Sequence, residues 1–306
     1  MRLPFLRRFI LFLLVVSFVL LFVRTIFNSF KFKCNRMKSS LRNFPIVIVN
    51  HSNVASDPKG NLSVSSLFSP NSSICHSTMV ILHSHIVNIE ERNRLRRIFK
   101  KSSFRLLFVL GIEDDPSPEI LRNEMDQFND LLVTDLIEDY HNITYKAQAW
   151  IRFLFDNCKE VRWIVKMDDD VEVNPFLLQS LLLNHQHYSR IIIGRVYMNS
   201  RVMRNPKSKW YLSPSEYHSE SLGQYLQGMS YVISADLLPM MKENIERVQF
   251  LWMDDWYVTH ALLNGITASL IDISSIIGSA NSREEVDQLK SRRDQLIFMH
   301  LRPKEE

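Results

Sequence analysis

Three consecutive carboxylates, Asp168, Asp169 and Asp170, directly follow the apolar stretch 161–167. Like charges crowded at one point repel one another unless a cation neutralises them. Carboxylate oxygens suit Mg²⁺ or Mn²⁺, whose remaining coordination positions commonly take phosphate oxygens. The three residues therefore predict a divalent-metal site that holds a phosphorylated substrate. The alternative is structural: Asp170 assists the following turn while its neighbours face water.

A second acidic pair, Asp254 and Asp255, lies in an apolar sequence environment. The flanking residues are Trp252, Met253, Trp256 and Tyr257. Apolar surroundings raise the pKa of a carboxyl group and make its carboxylate a better proton acceptor near neutral pH. The pair predicts a catalytic base. It also fits the N-terminus of a helix that runs to Asn264 and ends at Gly265, and the two interpretations are compatible.

Two further features are weaker evidence of a functional site when each is taken alone. Arg92 and Arg96 are four residues apart, so they share one face of a predicted helix and are spaced to meet a diphosphate. A solvated basic face explains the same spacing. His300, near the C-terminal end, fits either a surface residue or a third metal ligand.

The elements that position these residues alternate between strand and helix patterns. The predicted strands cover 79–84, 105–111, 130–136 and 161–167, and the predicted helices cover 88–100, 119–129 and 144–157. Asn174 and Pro175 predict the start of another helix. This order predicts an α/β sandwich with a largely parallel central sheet. In such sheets ligands bind beyond the carboxyl ends of strands, where Asp168 falls.

Composition excludes several classes of protein. The 306 residues carry a net charge of +4 with 23% charged residues, which argues against a disordered chain and against a polybasic nucleic-acid binder. The seven glycines form neither a dinucleotide fingerprint nor a phosphate-binding loop. HExxH and GxSxG patterns are also missing from the sequence. Any bound nucleotide must therefore be held by side chains and a metal ion.

The N-terminus predicts a membrane anchor. Residues 9–23 contain no charge and follow a tail with three arginines, so we expect a transmembrane signal-anchor over 9–27 after a cytoplasmic tail, 1–8. A cleaved signal peptide is the alternative, and the bulky residues after the apolar run argue against it. Residues 28–73 are predicted to form a mostly flexible stem, and 74–306 a single folded domain. Five basic residues between positions 24 and 38 follow the apolar segment and favour, if anything, a domain that is not lumenal.

The three cysteines, Cys34, Cys75 and Cys158, fit no zinc-binding spacing. Cys75 and Cys158 each precede a predicted strand. A disulfide between them in an oxidising lumen and a pair of buried thiols both remain open.

Six motifs occur in order along the chain. They are NIEERNRLR (88–96), the stretch from Asp130 through DLIEDYHNITYK (135–146), KMDDDVEVN (166–174), KWYLSPSEY (209–217), YLQGMSYVIS (225–234) and DDWYVT (254–259). Together they resemble the β1,3-galactosyltransferase and β1,3-N-acetylglucosaminyltransferase family, glycosyltransferase family 31. The resemblance covers roughly residues 75–302.

The resemblance implies a single-pass type II protein of the Golgi membrane with a GT-A fold. It implies an inverting, Mn²⁺- or Mg²⁺-dependent enzyme that moves galactose or an N-acetylhexosamine from a UDP-sugar donor. The acceptor would be a glycan on a glycoprotein or glycolipid, extended in β1,3 linkage, with no nucleic acid involved.

The resemblance also assigns residue roles. Asp168 and Asp170 would hold the metal, which His300 would complete, and Asp255 would take the proton from the acceptor hydroxyl. The donor-binding residues implied are Ser84, Arg92, Arg96, Lys146 and Asp169. The acceptor-binding residues implied are Trp210, Tyr225, Gly228 and Asp254.

The sequence departs from the family pattern at several positions. The departures are Phe99, Leu222-Gly223, Met229-Ser230, Asp254 and Thr259, and most of them fall on the expected sugar and acceptor side. They make a non-catalytic lumenal chaperone or scaffold on the same fold the main alternative function. A Mg²⁺-dependent phosphohydrolase is a further alternative without a recognisable nucleophile motif.

Overall fold

The computed structural model describes residues 46–50, 64–113 and 118–301, which all belong to one compact unit of mixed α/β architecture. The predicted tail and membrane anchor, 1–27, lie outside the described residues. Within the described ranges, no helix is both long and apolar enough to cross a membrane.

Nine strands form the central sheet and three form a smaller one. The described strands are β1 (Ile46–Asn50), β2 (Ser66–Phe68), β3 (Thr78–His83), β4 (Arg105–Ile112), β5 (Leu131–Ile137), β6 (Trp163–Asp168), β7 (Val171–Val173), β8 (Ile191–Tyr197), β9 (Tyr225–Ser234), β10 (Thr267–Asp272), β11 (Ile277–Ser279) and β12 (Phe298–His300). The large sheet has the order β1-β10-β8-β9-β6-β3-β4-β5-β2, and the small one has the order β11-β12-β7.

The central sheet is mixed, so the prediction of a largely parallel sheet is confirmed only in part. Strands β3, β4, β5 and β6 pair in parallel, as do β8 and β10. Strand β9, however, runs antiparallel between β6 and β8, which sequence periodicity did not reveal. Buried strands read as apolar runs in either direction, so the run alone does not fix the direction.

Seven helices cover the sheets in the described part of the chain. They are α1 (Ile89–Phe99), α2 (Pro118–Phe128), α3 (Ile143–Asn157), α4 (Pro175–Asn184), α5 (Leu238–Asn244), α6 (Asp254–Thr259) and α7 (Arg283–Ser291). Helix α3 buries Ala147, Trp150, Ile151 and Leu154, which share one face at helical spacing, and the helix contacts β3, β4 and β5. The predicted start of α4 is confirmed, because the Asn174 side chain accepts a hydrogen bond from the Leu177 N–H at 3.2 Å.

The folded unit begins earlier than residue 74. Strand β1 pairs with β10 from Ile46↔Ile271 to Asn50↔Thr267, and β2 pairs with β5 at the opposite edge. Two short segments of the predicted, mostly flexible stem (28–73) therefore form edge strands of the central sheet. Short edge strands gain their stability from the sheet they join, so their own composition gave little signal.

A disulfide joins Cys75, just before β3, to Cys158 at the end of α3, with 5.2 Å between the Cα atoms. The sequence left open a disulfide or a pair of buried thiols, and the structure has the disulfide. The bridged cysteines are 83 positions apart in the sequence, and the loop between them contains three strands of the central sheet, β3, β4 and β5. Constraining such a loop in the unfolded chain stabilises the folded state.

Candidate active site

A cavity of about 1180 Å³ opens at the carboxyl ends of β3 and β6. It is the location expected for a ligand site in a sheet of this kind. Every site residue proposed from the sequence lines this cavity except Arg92 and Arg96. Residues far apart in the sequence are thus gathered around one space.

The metal-binding candidates come together through the small sheet. Strand β12 pairs antiparallel with β7, with His300 opposite Val171, and this register places the His300 ring beside Asp170. His300 Nε2 lies 3.1 Å from Asp170 Oδ2. The predicted proximity of this late histidine to the acidic cluster is therefore seen in the structure.

Asp168 ends β6 and faces the cavity with 42% of its side chain exposed. Surrounding protein nevertheless raises the pKa of Asp168 to about 6, because desolvation outweighs the attraction of Lys166. Asp168 Oδ1 accepts a hydrogen bond from Lys166 Nζ at 2.8 Å. A cation near Asp168 would compete with this ammonium group.

The donor set suits a hard divalent cation, since it offers carboxylate oxygens and one imidazole nitrogen. Two ligands of one cation at bond lengths of about 2.1 Å lie roughly 3 Å apart when adjacent, which matches the Asp170–His300 separation. Across the described ranges, no three His, Cys, Asp or Glu side chains converge tightly enough to form a complete metal cage. Asp170 and His300 therefore form a pair that Asp168 and a phosphate would have to complete.

Asp169 also lines the cavity, but its carboxylate is held by neighbouring side chains. Its Oδ2 accepts hydrogen bonds from Ser84 Oγ at 2.7 Å and from Asn88 Nδ2 at 3.0 Å. Its backbone carbonyl accepts a third from Arg94 Nη2 at 2.7 Å. The middle carboxylate is thus anchored to the loop after β3, and its neighbours Asp168 and Asp170 are left facing the cavity.

Arg92 is fully buried and pairs with Glu124, with Nε and Nη2 donating at 2.8 and 2.7 Å. Arg96 donates to both oxygens of Asp130, at 2.8 and 2.7 Å, and to Glu124. The expectation that these arginines contact the donor directly is therefore not what the structure shows. The helical face that the two arginines share points inward, because the carboxylates of Glu124, on α2, and Asp130, just after α2, neutralise the guanidinium charges there.

Arg92 still reaches the site indirectly, through Ser84. Arg92 Nη1 donates to Ser84 Oγ at 3.2 Å, and Ser84 Oγ donates in turn to Asp169. Glu124 and Asp130, which complete this buried ion network, were missed by the sequence reasoning. Their pairing with α1 is a tertiary contact without a local sequence signal.

Lys146 lies on the cavity wall but is neutralised by Glu138, whose Oε2 is 2.5 Å from Lys146 Nζ. Lys146 Nζ also donates to the Ser84 carbonyl at 3.1 Å. Burial lowers the pKa of Lys146 and Glu138 opposes this shift. Glu138 is held in place by accepting from the Gly111 N–H at 2.7 Å. The sequence reasoning did not single out Glu138.

Lys166 was also missed, and it connects the two acidic groups. Its buried ammonium lies 2.8 Å from Asp168 Oδ1 and 3.4 Å from Asp254 Oδ2, and it donates to the Gly228 carbonyl at 2.7 Å. Burial disfavours the charge, but the two carboxylates outweigh it and raise the pKa of Lys166 well above its ordinary value. Within a strand pattern, a lysine reads as a solvent-facing residue, so no local signal revealed this role.

Asp255 lies in the first turn of α6. Its Oδ2 accepts from the Gly228 N–H at 3.1 Å, and its Oδ1 accepts from the Trp256 N–H at 2.8 Å. Burial and the neighbouring charge of Asp254 raise the pKa of Asp255 to about 7. A carboxyl group with this pKa exchanges a proton near neutral pH, as the apolar sequence environment predicted.

Helix α6 is fastened to β9 and to the residues that precede it. Trp256 Nε1 donates to the Leu222 carbonyl at 2.8 Å, and Thr259 Oγ1 accepts from the Leu226 N–H at 2.9 Å. The helix is shorter than predicted: it ends at Thr259, and a separate 3₁₀ turn covers Ala261–Leu263. Two of the departures from the family motifs, Leu222 and Thr259, therefore take part in the hydrogen bonds that hold the helix of Asp255 in place.

An aromatic wall forms another side of the cavity, made of Tyr140, Lys209, Trp210 and Trp252. Tyr140 and Trp210 are 46% and 37% exposed. Lys209 Nζ lies 5.5 Å from the Tyr140 ring centre and 4.8 Å from that of Trp210, and the Tyr140 and Trp252 rings are 5.7 Å apart. Of these residues, only Trp210 was assigned a binding role from the sequence.

The family model described as Galactosyltransferase matches residues 90–274, more than half of the chain. Beta-1,3-galactosyltransferase 1 of Mus musculus is 28% identical over 162 residues, which cover 52% of this chain and 50% of that protein. Beta-1,3-galactosyltransferase 5 of Pan paniscus is 26% identical over 163 residues, which cover 53% and 54%. The match thus spans about half the length of these curated relatives.

Among solved structures, a mannosyltransferase from Pyrobaculum calidifontis in complex with GDP-Man and Mn²⁺ matches with a TM-score of 0.35 and 11% identity, covering 63% of this chain and 54% of that one. The galactosyltransferase match contains the Asp168–Asp170 cluster, Lys166 and Asp255, which line the cavity described above. This chain belongs to the galactosyltransferase family.

Proposed function

We propose that this protein is an inverting, metal-dependent hexosyltransferase of the GT-A type. It would move galactose or an N-acetylhexosamine from a UDP-sugar to a glycan acceptor in β1,3 linkage. One observation carries the proposal: a single cavity contains both the acidic cluster with His300 and a second carboxylate, Asp255, whose pKa is raised to about 7. Family membership and the names of the curated relatives support the choice of donor and linkage.

Asp168, Asp170 and His300 would hold Mn²⁺ or Mg²⁺, which when bound stabilises negative charge on the departing diphosphate. The contact between Asp170 and His300 supports this set. Asp169 and Ser84 would support the cluster from behind, since their side chains are hydrogen-bonded to each other at 2.7 Å.

Asp255 would accept the proton of the acceptor hydroxyl. The oxygen of that hydroxyl attacks C1 of the sugar while the bond from C1 to the diphosphate oxygen breaks, so the configuration at C1 inverts in one displacement. The raised pKa supports Asp255 as the proton acceptor, because a general base works best when its pKa lies near the operating pH.

The aromatic wall supports a carbohydrate acceptor. Exposed aromatic rings pack well against the apolar C–H face of a sugar, while nearby polar groups bind its hydroxyls. Trp210 and Tyr140 present such rings, and Lys209 supplies a donor beside them. Tyr225, Gly228 and Asp254 would complete the acceptor side of the cavity.

We also propose that the protein is anchored in the Golgi membrane by residues 9–27, with its folded unit in the lumen. The disulfide between Cys75 and Cys158 supports an oxidising compartment. Membrane fractionation of cells that express the full chain, compared with a chain lacking 9–27, tests the anchor. Recovery of both proteins in the same soluble fraction would contradict it.

The enzymatic proposal is tested by binding and transfer assays on the full chain. Isothermal titration with Mn²⁺ is run against UDP-galactose, UDP-N-acetylglucosamine and UDP-N-acetylgalactosamine. Asp170→Ala should abolish metal-dependent binding, and Asp255→Asn should keep binding but lose transfer. Asp287→Ala, on the exposed face of α7, is the matched control. Failure of the unmodified chain to bind any UDP-sugar with Mn²⁺ would reject the enzyme and favour a non-catalytic lumenal scaffold.

A further inference from the structure

We propose that Arg195 is the side chain that contacts the diphosphate of the donor, an assignment that rests on the proposed function. Arg195 belongs to β8 and lines the cavity with its guanidinium half-buried. It lies outside the motifs that led to Arg92 and Arg96, the arginines first expected to contact the donor.

Most of the lysine and arginine side chains proposed or found near the site are already paired with carboxylates, which a diphosphate would have to displace. Lys146 is already neutralised by Glu138, and Lys166 by Asp168 and Asp254. Arg92 and Arg96 are committed to buried carboxylates away from the cavity. In the described part of the chain, the remaining lysine and arginine side chains of the cavity wall, Arg195, Arg201 and Lys209, have no carboxylate within 4.0 Å.

Arg195 is incompletely satisfied in the absence of a ligand. Its Nη2 donates to the Ile277 carbonyl at 2.6 Å. Its Nε is buried and has no hydrogen-bond partner among the residues that the structure describes. A guanidinium that is partly removed from water, without a counter-ion, is unfavourable until an anion approaches.

The backbone around Arg195 is irregular. The register of β8 against β9 shifts between Gly194 and Val196, so Arg195 occupies the point of the shift. Irregularities of this type redirect a side chain and are common beside active sites. The strand therefore presents Arg195 in a direction that regular alternation would not give.

Arg195 also lies on the metal side of the cavity. Its carbonyl partner, Ile277, begins β11, and β11 pairs in parallel with β12 so that Ser279 is opposite His300. Two strand residues span about 7 Å. The guanidinium is thus anchored close to the Asp170–His300 pair, where the metal-bound diphosphate would lie.

The charges of Arg195 and of the proposed base, Asp255, both act on the phenol of Tyr197. Burial raises the pKa of Tyr197, the charge of Arg195 lowers it, and the charge of Asp255 raises it. Both charges therefore act on one ring from within the same cavity. Arg195, Tyr197 and the proposed base Asp255 thus all face the same cavity.

The other two cations are less suited to this role. Lys209 lies over the Tyr140 and Trp210 rings of the aromatic wall. Arg201 is exposed, and its backbone bridges to Ser221 in the loop that leads to β9. A guanidinium can bind phosphate oxygens through two parallel hydrogen bonds and stays charged at any working pH, which suits Arg195 to a diphosphate.

The test compares UDP with uridine on the full chain at saturating Mn²⁺. UDP affinity is measured by isothermal titration, and uridine affinity by competition against UDP. Arg195→Met should weaken UDP binding about tenfold or more, because a charge-assisted contact to phosphate is lost, and should leave uridine affinity unchanged. Arg201→Met is the matched control and should change neither affinity.

A second variant guards against misfolding. Arg195→Gln keeps a polar side chain with N–H donors while removing the charge, and it should show the same selective loss of UDP affinity. UDP affinity within twofold of the unmodified chain, or equal losses for UDP and uridine, would overturn the assignment of Arg195. Failure of the unmodified chain to bind UDP would instead overturn the proposed function itself.

Discussion

Asp255 Oδ2 accepts a hydrogen bond from the backbone N–H of Gly228 at 3.1 Å. A methyl group on Gly228 would lie 3.1 Å from Asp255 Cβ and 3.2 Å from Oδ2. Real Cβ atoms seldom have such close neighbours, so the Asp255 side chain would have to move. Strand β9 and helix α6 thus approach each other at the proposed base with no room for a larger residue.

Gly228→Ala should therefore reduce sugar transfer about tenfold or more, because displacement of a reacting group by a fraction of an ångström is costly. Metal-dependent UDP binding should stay unchanged, since Gly228 does not contact the metal candidates. Steady-state kinetics and UDP titration measure the two effects.

The matched control is Gly265→Ala, which adds a methyl group that meets nothing within 4 Å but sits at a φ of +73°. It should cost about 1 kcal/mol of stability through backbone strain and leave transfer intact. Full transfer activity in Gly228→Ala would show that Asp255 tolerates displacement and is not the base.

Turnover should fall as the pH drops through about 7. Burial and the charge of Asp254 raise the pKa of Asp255 to about 7, and only the deprotonated carboxylate can accept the hydroxyl proton. Asp254→Asn removes the neighbouring negative charge, which lowers the pKa of Asp255 and should move the acidic limb to lower pH. A pH–rate profile at saturating metal measures both. A limb that stays in place or moves to higher pH in the variant would contradict the assignment.

Thr259 is expected to hold the base in position. Its hydroxyl donates to the Asp255 carbonyl at 2.6 Å and accepts from the Leu226 N–H at 2.9 Å. Thr259→Val keeps the shape but leaves the Leu226 N–H buried without this partner, at a cost of about 1–3 kcal/mol. We expect lower stability and a lower kcat with the donor KM unchanged.

Thr259→Ser retains the hydroxyl and should restore kcat, although it loses one buried methyl group. Thermal unfolding and steady-state kinetics on the two variants separate the effects. Equal kcat values for the valine and serine variants would mean that the hydroxyl does not position Asp255.

Loss of the disulfide should destabilise the fold without removing the site. Replacing Cys75 and Cys158 by serine should lower the free energy of unfolding by about 2–4 kcal/mol, because the unfolded chain is no longer constrained. Denaturant unfolding measures this loss. UDP binding should persist below the unfolding transition, since neither cysteine lines the cavity. Unchanged unfolding of the serine variant would show that the bridge is not formed in the protein.

Local sequence determined the elements that present the acidic cluster. The apolar run before Asp168 predicted a buried strand, and the structure has β6 ending at that residue. Asn174 and Pro175 predicted the start of α4, and the spacing of apolar residues predicted α3. These features depend on residues within a few positions of each other, so strand and helix periodicity is enough to reveal them.

Tertiary structure decided which charges face the cavity. Helical spacing placed Arg92 and Arg96 on one face, but only the packing of Glu124 and Asp130 against α1 turned that face inward. Lys166 reads as an ordinary strand residue until α6 and β9 bring Asp254 and the Gly228 carbonyl to it. Local spacing fixes which side chains share a face. The direction of that face is set by partners distant in sequence, because burying a charge is favourable only where an opposite charge or a hydrogen bond meets it.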